Sequence, residues 1–86
     1  MNYAAECAIK CGEPLFRAFL RSRPRVMALS TVPGNPWVFV RSKEDAAIAV
    51  RFLVDIDSRR ELNTDNEAAM RWRELAADFD LWQRDI

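Results

Sequence analysis

A stripe of apolar residues in the last quarter of the chain constrains the fold more than any other feature of the sequence. Its members are separated by alternating steps of four and three residues: Ala68, Trp72, Leu75, Phe79, Trp82 and Ile86. At about 100° per residue, these positions fall on one narrow face of an α-helix. Thr64 and Glu67 precede the stripe with the spacing of a capping box. The sequence therefore predicts a C-terminal helix that begins at Thr64 and buries this face.

The length and composition indicate a single compact domain spanning residues 1–86. Half of the residues are apolar and 30% are charged, with only two glycines and four prolines. A chain of this size buries about two thirds of the surface that its unfolded form exposes. No apolar run approaches the roughly 20 residues of a membrane span, and no basic segment precedes an apolar core at the N-terminus. We therefore expect a cytoplasmic protein without membrane contact.

Two short helices are predicted at the N-terminus. Residues 3–11 have Asn2 as a potential N-cap and Gly12 where a helix usually stops. Pro14 suits the first position of a second helix, which Pro24 ends near Ser22. The apolar side of this second helix consists of Leu15, Phe16, Phe19 and Leu20.

The central part of the chain has the composition of β-strands. Segments 26–32 and 37–41 are rich in β-branched and aromatic residues. They flank Pro33-Gly34-Asn35-Pro36, in which Pro33 and Gly34 suit the central positions of a type II turn. The pattern predicts a β-hairpin, which would need helices packed against it to persist.

The next segment is ambiguous between helix and strand. Ser42 and Asp45 suggest an N-cap, and the alanines and length of segment 46–56 favour a central helix that is apolar almost all round. Alternation of apolar residues also allows a third strand at 47–56. Residues 59–63 read as a polar connection. We therefore predict an α+β fold in the order α-α-β-β-α-α, with α-α-β-β-β-α as the alternative.

Candidate catalytic groups are few. The chain has no histidine, and its two glycines are isolated, so imidazole catalysis and a Gly-rich phosphate loop are excluded. Cys7 and Cys11 are too few ligands for a tetrahedral metal site, and we expect them to be reduced and buried. We expect no enzyme activity and no cofactor. An alternative is a divalent-metal enzyme that uses Asp55, Asp57 and Glu61.

Charge is unevenly distributed along the chain. Residues 1–43 contain seven bases and two acids, whereas residues 44–86 contain six bases and eleven acids. The opposite charges of the two halves are compensated either within the molecule, by packing one half on the other, or by partners that bind two different faces. The densest basic segment is a candidate nucleic-acid surface: Arg17, Arg21, Arg23 and Arg25.

The C-terminal helix has a second candidate surface. Acidic residues on one flank of the buried stripe, beside an exposed apolar position, suit docking on a basic and partly apolar protein surface. This predicted protein-binding set is Glu74, Asp78, Leu81 and Asp85. The apolar stripe itself is also compatible with a homodimer seam.

These features together predict a small non-enzymatic protein that acts by binding to a macromolecular partner and occupying part of its surface. A protein partner is favoured, and nucleic acid bound through the Arg17–Arg25 segment is the alternative. Eleven arginines against two lysines, with twelve alanines, are typical of a GC-rich bacterial or phage genome. The specific hypothesis is an inhibitor or adaptor such as an anti-CRISPR-like anti-defence protein.

Overall fold

The fold is entirely helical over residues 2–86, which are the residues described by our computed structural model. Six α-helices and one 3-10 turn follow one another, with no β-strand in this range. The elements are α1 (Tyr3–Cys11), α2 (Pro14–Ser22), α3 (Pro24–Leu29), the 3-10 turn (Pro36–Phe39), α4 (Lys43–Val54), α5 (Glu61–Thr64) and α6 (Asn66–Arg84). The predicted α+β fold is therefore wrong.

The two N-terminal helices have the predicted bounds and caps. The Asn2 side chain accepts a hydrogen bond from the Ala5 N–H at 3.0 Å, and Gly12 caps the end of α1. Asn63 of α5 also accepts from the Ala4 N–H at 3.1 Å, which ties α1 to a distant part of the chain. Pro14 opens α2, whose buried face is formed by Phe16, Phe19 and Leu20.

The predicted hairpin at 26–41 does not form. Pro24 occupies the first turn of α3, and the hydroxyls of Ser30 and Thr31 donate to carbonyls in its last turn at 2.6 and 3.1 Å. The turn at Pro33-Gly34 is present, with a φ of 98° at Gly34, but helical segments flank it on both sides. The prediction of a turn at Pro33-Gly34 was therefore correct, whereas the prediction of strands on either side of it was wrong.

Burial against α4 explains why this segment avoids the strand conformation. A two-stranded hairpin is marginal without a third strand, and α4 offers none because it is a helix. Val38 and Val40 are buried, while Trp37 packs on Phe52 of α4 with ring centroids 5.4 Å apart. The β-branched and aromatic residues thus bury their side chains without strand pairing.

Helix α4 is the central element, which confirms the helical interpretation of segment 46–56 except for its last two residues and excludes the third strand. Ser42 Oγ accepts from the Asp45 N–H at 3.1 Å, and Asp45 Oδ2 accepts from the Arg41 N–H at 3.1 Å. The helix packs against α1, α2, α3, the 3-10 turn and α6. These contacts require apolar residues on several faces: Ala46, Ala47, Ala49, Val50 and Val54 are all buried.

The start of the last helix differs from the predicted capping box. Thr64 belongs to the short helix α5, which occupies most of the predicted connection at 59–63. Asp65 is extended and is the N-cap of α6, with its Oδ1 accepting from the N–H groups of Glu67 and Ala68 at 2.9 and 3.3 Å. The cap lies one residue later than predicted because an additional turn of helix precedes it.

The apolar stripe of α6 is buried over most of its length. Ala68, Trp72, Leu75 and Phe79 are buried, Trp82 is half-buried, and Ile86 is exposed. The aromatic rings of this face pack on α2, with Phe16 and Phe79 centroids 5.0 Å apart in an edge-on arrangement. The predicted structural side of the last helix is therefore confirmed, apart from its final residue.

Candidate functional site

A groove brings residues of the two predicted binding surfaces together. It lies where the start of α3, the end of α4 and the middle of α6 meet, and its volume is about 420 Å³. We call it the α3–α6 groove. Its lining residues are Arg23, Pro24, Arg25, Leu53, Val54, Arg71, Glu74, Leu75 and Asp78.

Two arginines on different sides of the groove, Arg25 of α3 and Arg71 of α6, donate to the end of α4. Arg25 donates to the carbonyls of Leu53 at 3.2 Å and Phe52 at 3.4 Å, and Arg71 Nε donates to the Val54 carbonyl at 2.7 Å. Carbonyls in the last turn of a helix have no partner within that helix, and the negative end of its dipole favours a cation. These two guanidinium groups are therefore partly occupied in stabilising the fold.

The third arginine of the groove has an unused donor. The guanidinium of Arg23 lies over the Phe19 ring, 4.2 Å from its centroid, and Nη2 donates to Ser22 Oγ at 3.3 Å. Its Nε is buried and makes no hydrogen bond to another residue in the range 2–86. A buried donor without an acceptor costs about 1–3 kcal/mol.

The α6 wall of the groove, which also contains Arg71, is acidic. Glu74 and Asp78 lie one turn apart on α6 and are exposed. Within residues 2–86 the structure contains one ion pair, between Arg71 and Glu67 at 3.8 Å, so no ion pair joins the two walls. The groove therefore presents free carboxylates beside an apolar floor of Pro24, Leu53 and Leu75.

The predicted acidic set extends beyond the groove along the helix. Leu81 is 57% exposed, and Asp85 caps the C-terminus of α6. Positions 74, 78, 81 and 85 share one helical face. We call this face the α6 ridge, and all four of its residues are exposed: Glu74, Asp78, Leu81 and Asp85.

The predicted basic segment is divided between different environments. Arg17 Nη1 donates to the Cys11 carbonyl at 3.3 Å, and Arg21 Nη1 donates to the Val40 carbonyl at 3.0 Å. Neither of these two lines the α3–α6 groove, whereas Arg23 and Arg25 do. The four guanidinium groups thus each have an intramolecular contact, through a backbone carbonyl or an aromatic ring.

The carboxylates of the enzymatic alternative have other contacts. Glu61 Oε2 accepts from the N–H groups of Asp57 at 2.7 Å and Ser58 at 2.8 Å, which stabilises the turn between α4 and α5. Asp55 caps the end of α4. In the described part of the chain, no three Cys, Asp or Glu side chains are grouped so that they could hold a metal ion.

The two cysteines are buried, as predicted, and form no disulfide. Their Sγ atoms lie 4.0 Å apart on successive turns of α1. The hydrogen bond between the two thiols and their burial raise the pKa of Cys7 far above its ordinary value. Cys7 therefore remains protonated over the physiological range of pH.

A second basic region was not predicted from the sequence. Lys43, Arg51, Arg59 and Arg60 line two adjoining cavities beside α1. The adjacent pair Arg59-Arg60 in a polar connection, and Arg51 as the one base within an apolar segment, were the available signals. The tertiary fold was needed to show that these residues surround the same surface.

No helix between residues 2 and 86 has the length and apolarity required to cross a membrane. Comparison with models of known protein families, with curated proteins and with solved structures gave no significant match. The functional argument therefore rests on the geometry of the α3–α6 groove, the α6 ridge and the unpredicted basic region.

Proposed function

We propose that this chain is a non-enzymatic binding protein that acts by occupying a surface of a protein partner. The α3–α6 groove and the α6 ridge form the docking surface. The observation that carries the proposal is the pair of exposed carboxylates, Glu74 and Asp78, which border an apolar floor and have no cationic partner in residues 2–86. An inhibitor or adaptor acts in this way, and a bacterial or phage anti-CRISPR-like anti-defence protein is the specific form we favour.

The groove specifies the chemistry of the partner segment. A Lys or Arg side chain would pair with Glu74 and Asp78, and an apolar side chain would cover Pro24, Leu53 and Leu75. Charge of this kind contributes orientation and association rate, while the buried apolar contact contributes affinity.

The exposed apolar positions of α6 extend the same surface. Leu81 is 57% exposed on the α6 ridge, and Met70 is 59% exposed one turn after the start of the helix. An apolar side chain surrounded by charged residues is a common anchor in protein interfaces. Leu81 is the anchor expected on the ridge because it lies between Asp78 and Asp85 on the same face.

Nucleic acid bound through the Arg17–Arg25 segment is less favoured. Three of its guanidinium groups donate to backbone carbonyls, and the fourth lies over Phe19. Phosphate binding would compete with these contacts. The net charge of zero also provides no long-range attraction for a polyanion.

The test compares capture of partners from the native host by three versions of the full chain. The double variant Glu74→Gln/Asp78→Asn removes both charges of the acidic wall. The control Asp80→Asn removes another exposed charge on a different face of α6. We expect one protein to be retained by the wild type and by Asp80→Asn, with or without nuclease, and to be lost with the double variant.

The purified partner then provides a quantitative measurement. By titration calorimetry, the double variant should bind at least about tenfold more weakly than the wild type, since each charge-assisted hydrogen bond contributes about 1.5–3 kcal/mol. Equal affinities for wild type and double variant would refute this docking surface. Capture that disappears after nuclease treatment would instead indicate nucleic acid as the partner.

A further inference from the structure

A continuous basic trough lies on a different side of α4 from the α3–α6 groove. Two cavities of about 440 and 510 Å³ adjoin each other and share Ala8, Arg51 and Arg59 in their linings. One extends along α4 from Lys43 to Arg51, and the other extends over the turn between α4 and α5. We call the two together the basic trough. Its four bases are Lys43, Arg51, Arg59 and Arg60.

The four bases of the trough are free, in contrast to the arginines of the α3–α6 groove. None of their side chains donates a hydrogen bond or forms an ion pair with another residue of the described range. Two acids also line the trough, Glu44 in one cavity and Asp57 in the other. Because the shared middle contains Arg51 and Arg59 without an acid, positive potential is concentrated there.

Local structure explains why these bases are presented together. Arg51 lies in the last turn of α4, where the helix dipole favours a cation. Arg59 and Arg60 follow a turn whose backbone N–H groups are held by the Glu61 carboxylate at 2.7 and 2.8 Å. Such a turn fixes the backbone from which the two arginine side chains extend.

The floor of the trough consists of small side chains. Ala4, Ala5 and Ala8 of α1 and Ala47 of α4 line it, so a ligand can approach the backbone of both helices closely. A shallow alanine floor offers little apolar surface for a large hydrophobic ligand. Planar guanidinium groups, by contrast, match the oxygens of a phosphate and bind it through paired hydrogen bonds.

We propose that the basic trough binds a phosphate group, held between Arg51 and Arg59, with Lys43 or Arg60 contacting the remainder of the ligand. Each of the two cavities has a volume within the usual range for small-molecule sites, which fits a ligand of nucleotide size. The phosphate belongs either to a free nucleotide or to the end of a nucleic-acid strand. Glu44 and Asp57 disfavour the continued phosphate backbone of a long strand along the trough.

The experiment uses the full chain and three phosphate probes: inorganic pyrophosphate, a nucleoside triphosphate, and a short thymidine oligonucleotide with or without a 5′-phosphate. Binding is followed by NMR through the side-chain Nε–H signals of arginine and the amide signals of Ala5 and Ala8. We expect saturable shifts of the Arg51 and Arg59 signals.

The variant Arg51→Gln/Arg59→Gln should weaken binding at least about tenfold. The control Arg73→Gln removes an exposed arginine of α6 that lines neither cavity, and it should bind as the wild type does. If the double variant loses its cooperative thermal transition, the single variant Arg59→Gln, which changes only the turn, replaces it.

Each outcome has a defined meaning. Saturable binding of pyrophosphate and nucleotide supports the proposal with a free phosphorylated molecule as the source. Binding of the oligonucleotide alone, and only with its 5′-phosphate, supports it with a strand end as the source. Absence of binding at millimolar probe, or equal weakening by Arg73→Gln, would overturn it. None of these results depends on the protein-docking surface on α6.

Discussion

At the scale of single residues, the burial of Trp72 depends on one hydrogen bond that its indole N–H donates to Glu6. Its side chain is fully buried, and its Nε1–H donates to Glu6 Oε1 of α1 at 3.0 Å. An indole N–H is a donor only, so removal of the acceptor leaves it unpaired inside the protein. This one bond also links α1 to α6 across most of the sequence.

We expect Glu6→Ala to lower the free energy of unfolding by about 1–3 kcal/mol, because the buried indole N–H would lose its acceptor. Glu6→Gln should cost less, since the amide oxygen can still accept. Urea denaturation measures both changes. Glu13→Ala, at an exposed acid whose side chain does not cap α2, is the control and should be nearly neutral. A cost for Glu13→Ala equal to that of Glu6→Ala would contradict this explanation.

The raised pKa of the Cys7 thiol predicts a dependence of stability on pH. In the unfolded chain the thiol ionises near its ordinary value of 9.0, whereas in the folded chain it stays protonated. Above that pH the unfolded state binds fewer protons, so this stabilising contribution is complete below pH 9 and declines as the pH rises.

Because the Cys7 hydrogen bond lowers the pKa of Cys11, the test removes Cys11 from both proteins. We expect the difference in unfolding free energy between Cys11→Ala and Cys7→Ala/Cys11→Ala to decrease as the pH rises from 8 to 10, since burial alone still raises the pKa of Cys7. Urea denaturation of both proteins at several pH values, with a reductant present, measures this difference. A constant difference over that range would show that the pKa of Cys7 is unchanged by folding.

At the scale of elements, α4 ends in a strained conformation. Its C-cap, Asp55, has a φ of 60°, and the side chain is exposed. A left-handed backbone conformation costs a residue with a Cβ about 1–2 kcal/mol, although Asp tolerates it better than most. Glycine is the usual residue at this position of a helix end.

Asp55→Gly should raise the free energy of unfolding by about 0.5–1 kcal/mol, because relief of the strain exceeds the added entropy of the unfolded chain. Removing a negative charge from the C-terminus of α4 adds to the effect. Thermal denaturation measures it. Asp57→Gly serves as a comparison in the same turn, outside the left-handed region, and should be destabilising.

The 3-10 turn shows how an element forms from tertiary contacts. Val40 follows the turn with a φ of 44°, an unfavourable value for a β-branched residue, and is fully buried. Burial of a valine contributes about 1.5–3 kcal/mol, which exceeds the cost of the backbone conformation. Contact with the core therefore outweighs the local preference of this segment.

At the scale of the whole molecule, the opposite charges of the two halves are not neutralised by ion pairs. Within residues 2–86 the single ion pair joins Arg71 and Glu67, which both belong to the acidic half. Arg17 and Arg25 of the basic half donate instead to carbonyls at helix ends. Glu74 and Asp78 of α6 thus remain available for a partner.

We expect the free energy of unfolding to change by less than about 0.5 kcal/mol between 0.05 and 0.5 M NaCl, since an exposed ion pair contributes little. Binding of a protein partner through the acidic wall should weaken over the same range. Urea denaturation and calorimetry at both salt concentrations test the two statements. A large loss of stability in high salt would indicate that attraction between the halves holds the fold.

The sequence by itself determined the elements whose signals are local. Caps at Asn2 and Ser42, a proline at the start of α2, and the periodicity of α6 each depend on residues within about two turns of one another. The buried face of α6 was predictable for the same reason. So was the exposure of Glu74, Asp78, Leu81 and Asp85 on a different face of that helix.

Only the tertiary structure decided the rest. Segment 26–40 has strand-like composition, yet burial against α4 stabilises helical turns there because no third strand is present to pair with it. Residues far apart in the chain come together in three places. Arginines donate to the ends of distant helices, and the α3–α6 groove and the basic trough are each formed by several elements. Such contacts depend on how the helices pack, which local sequence patterns do not encode.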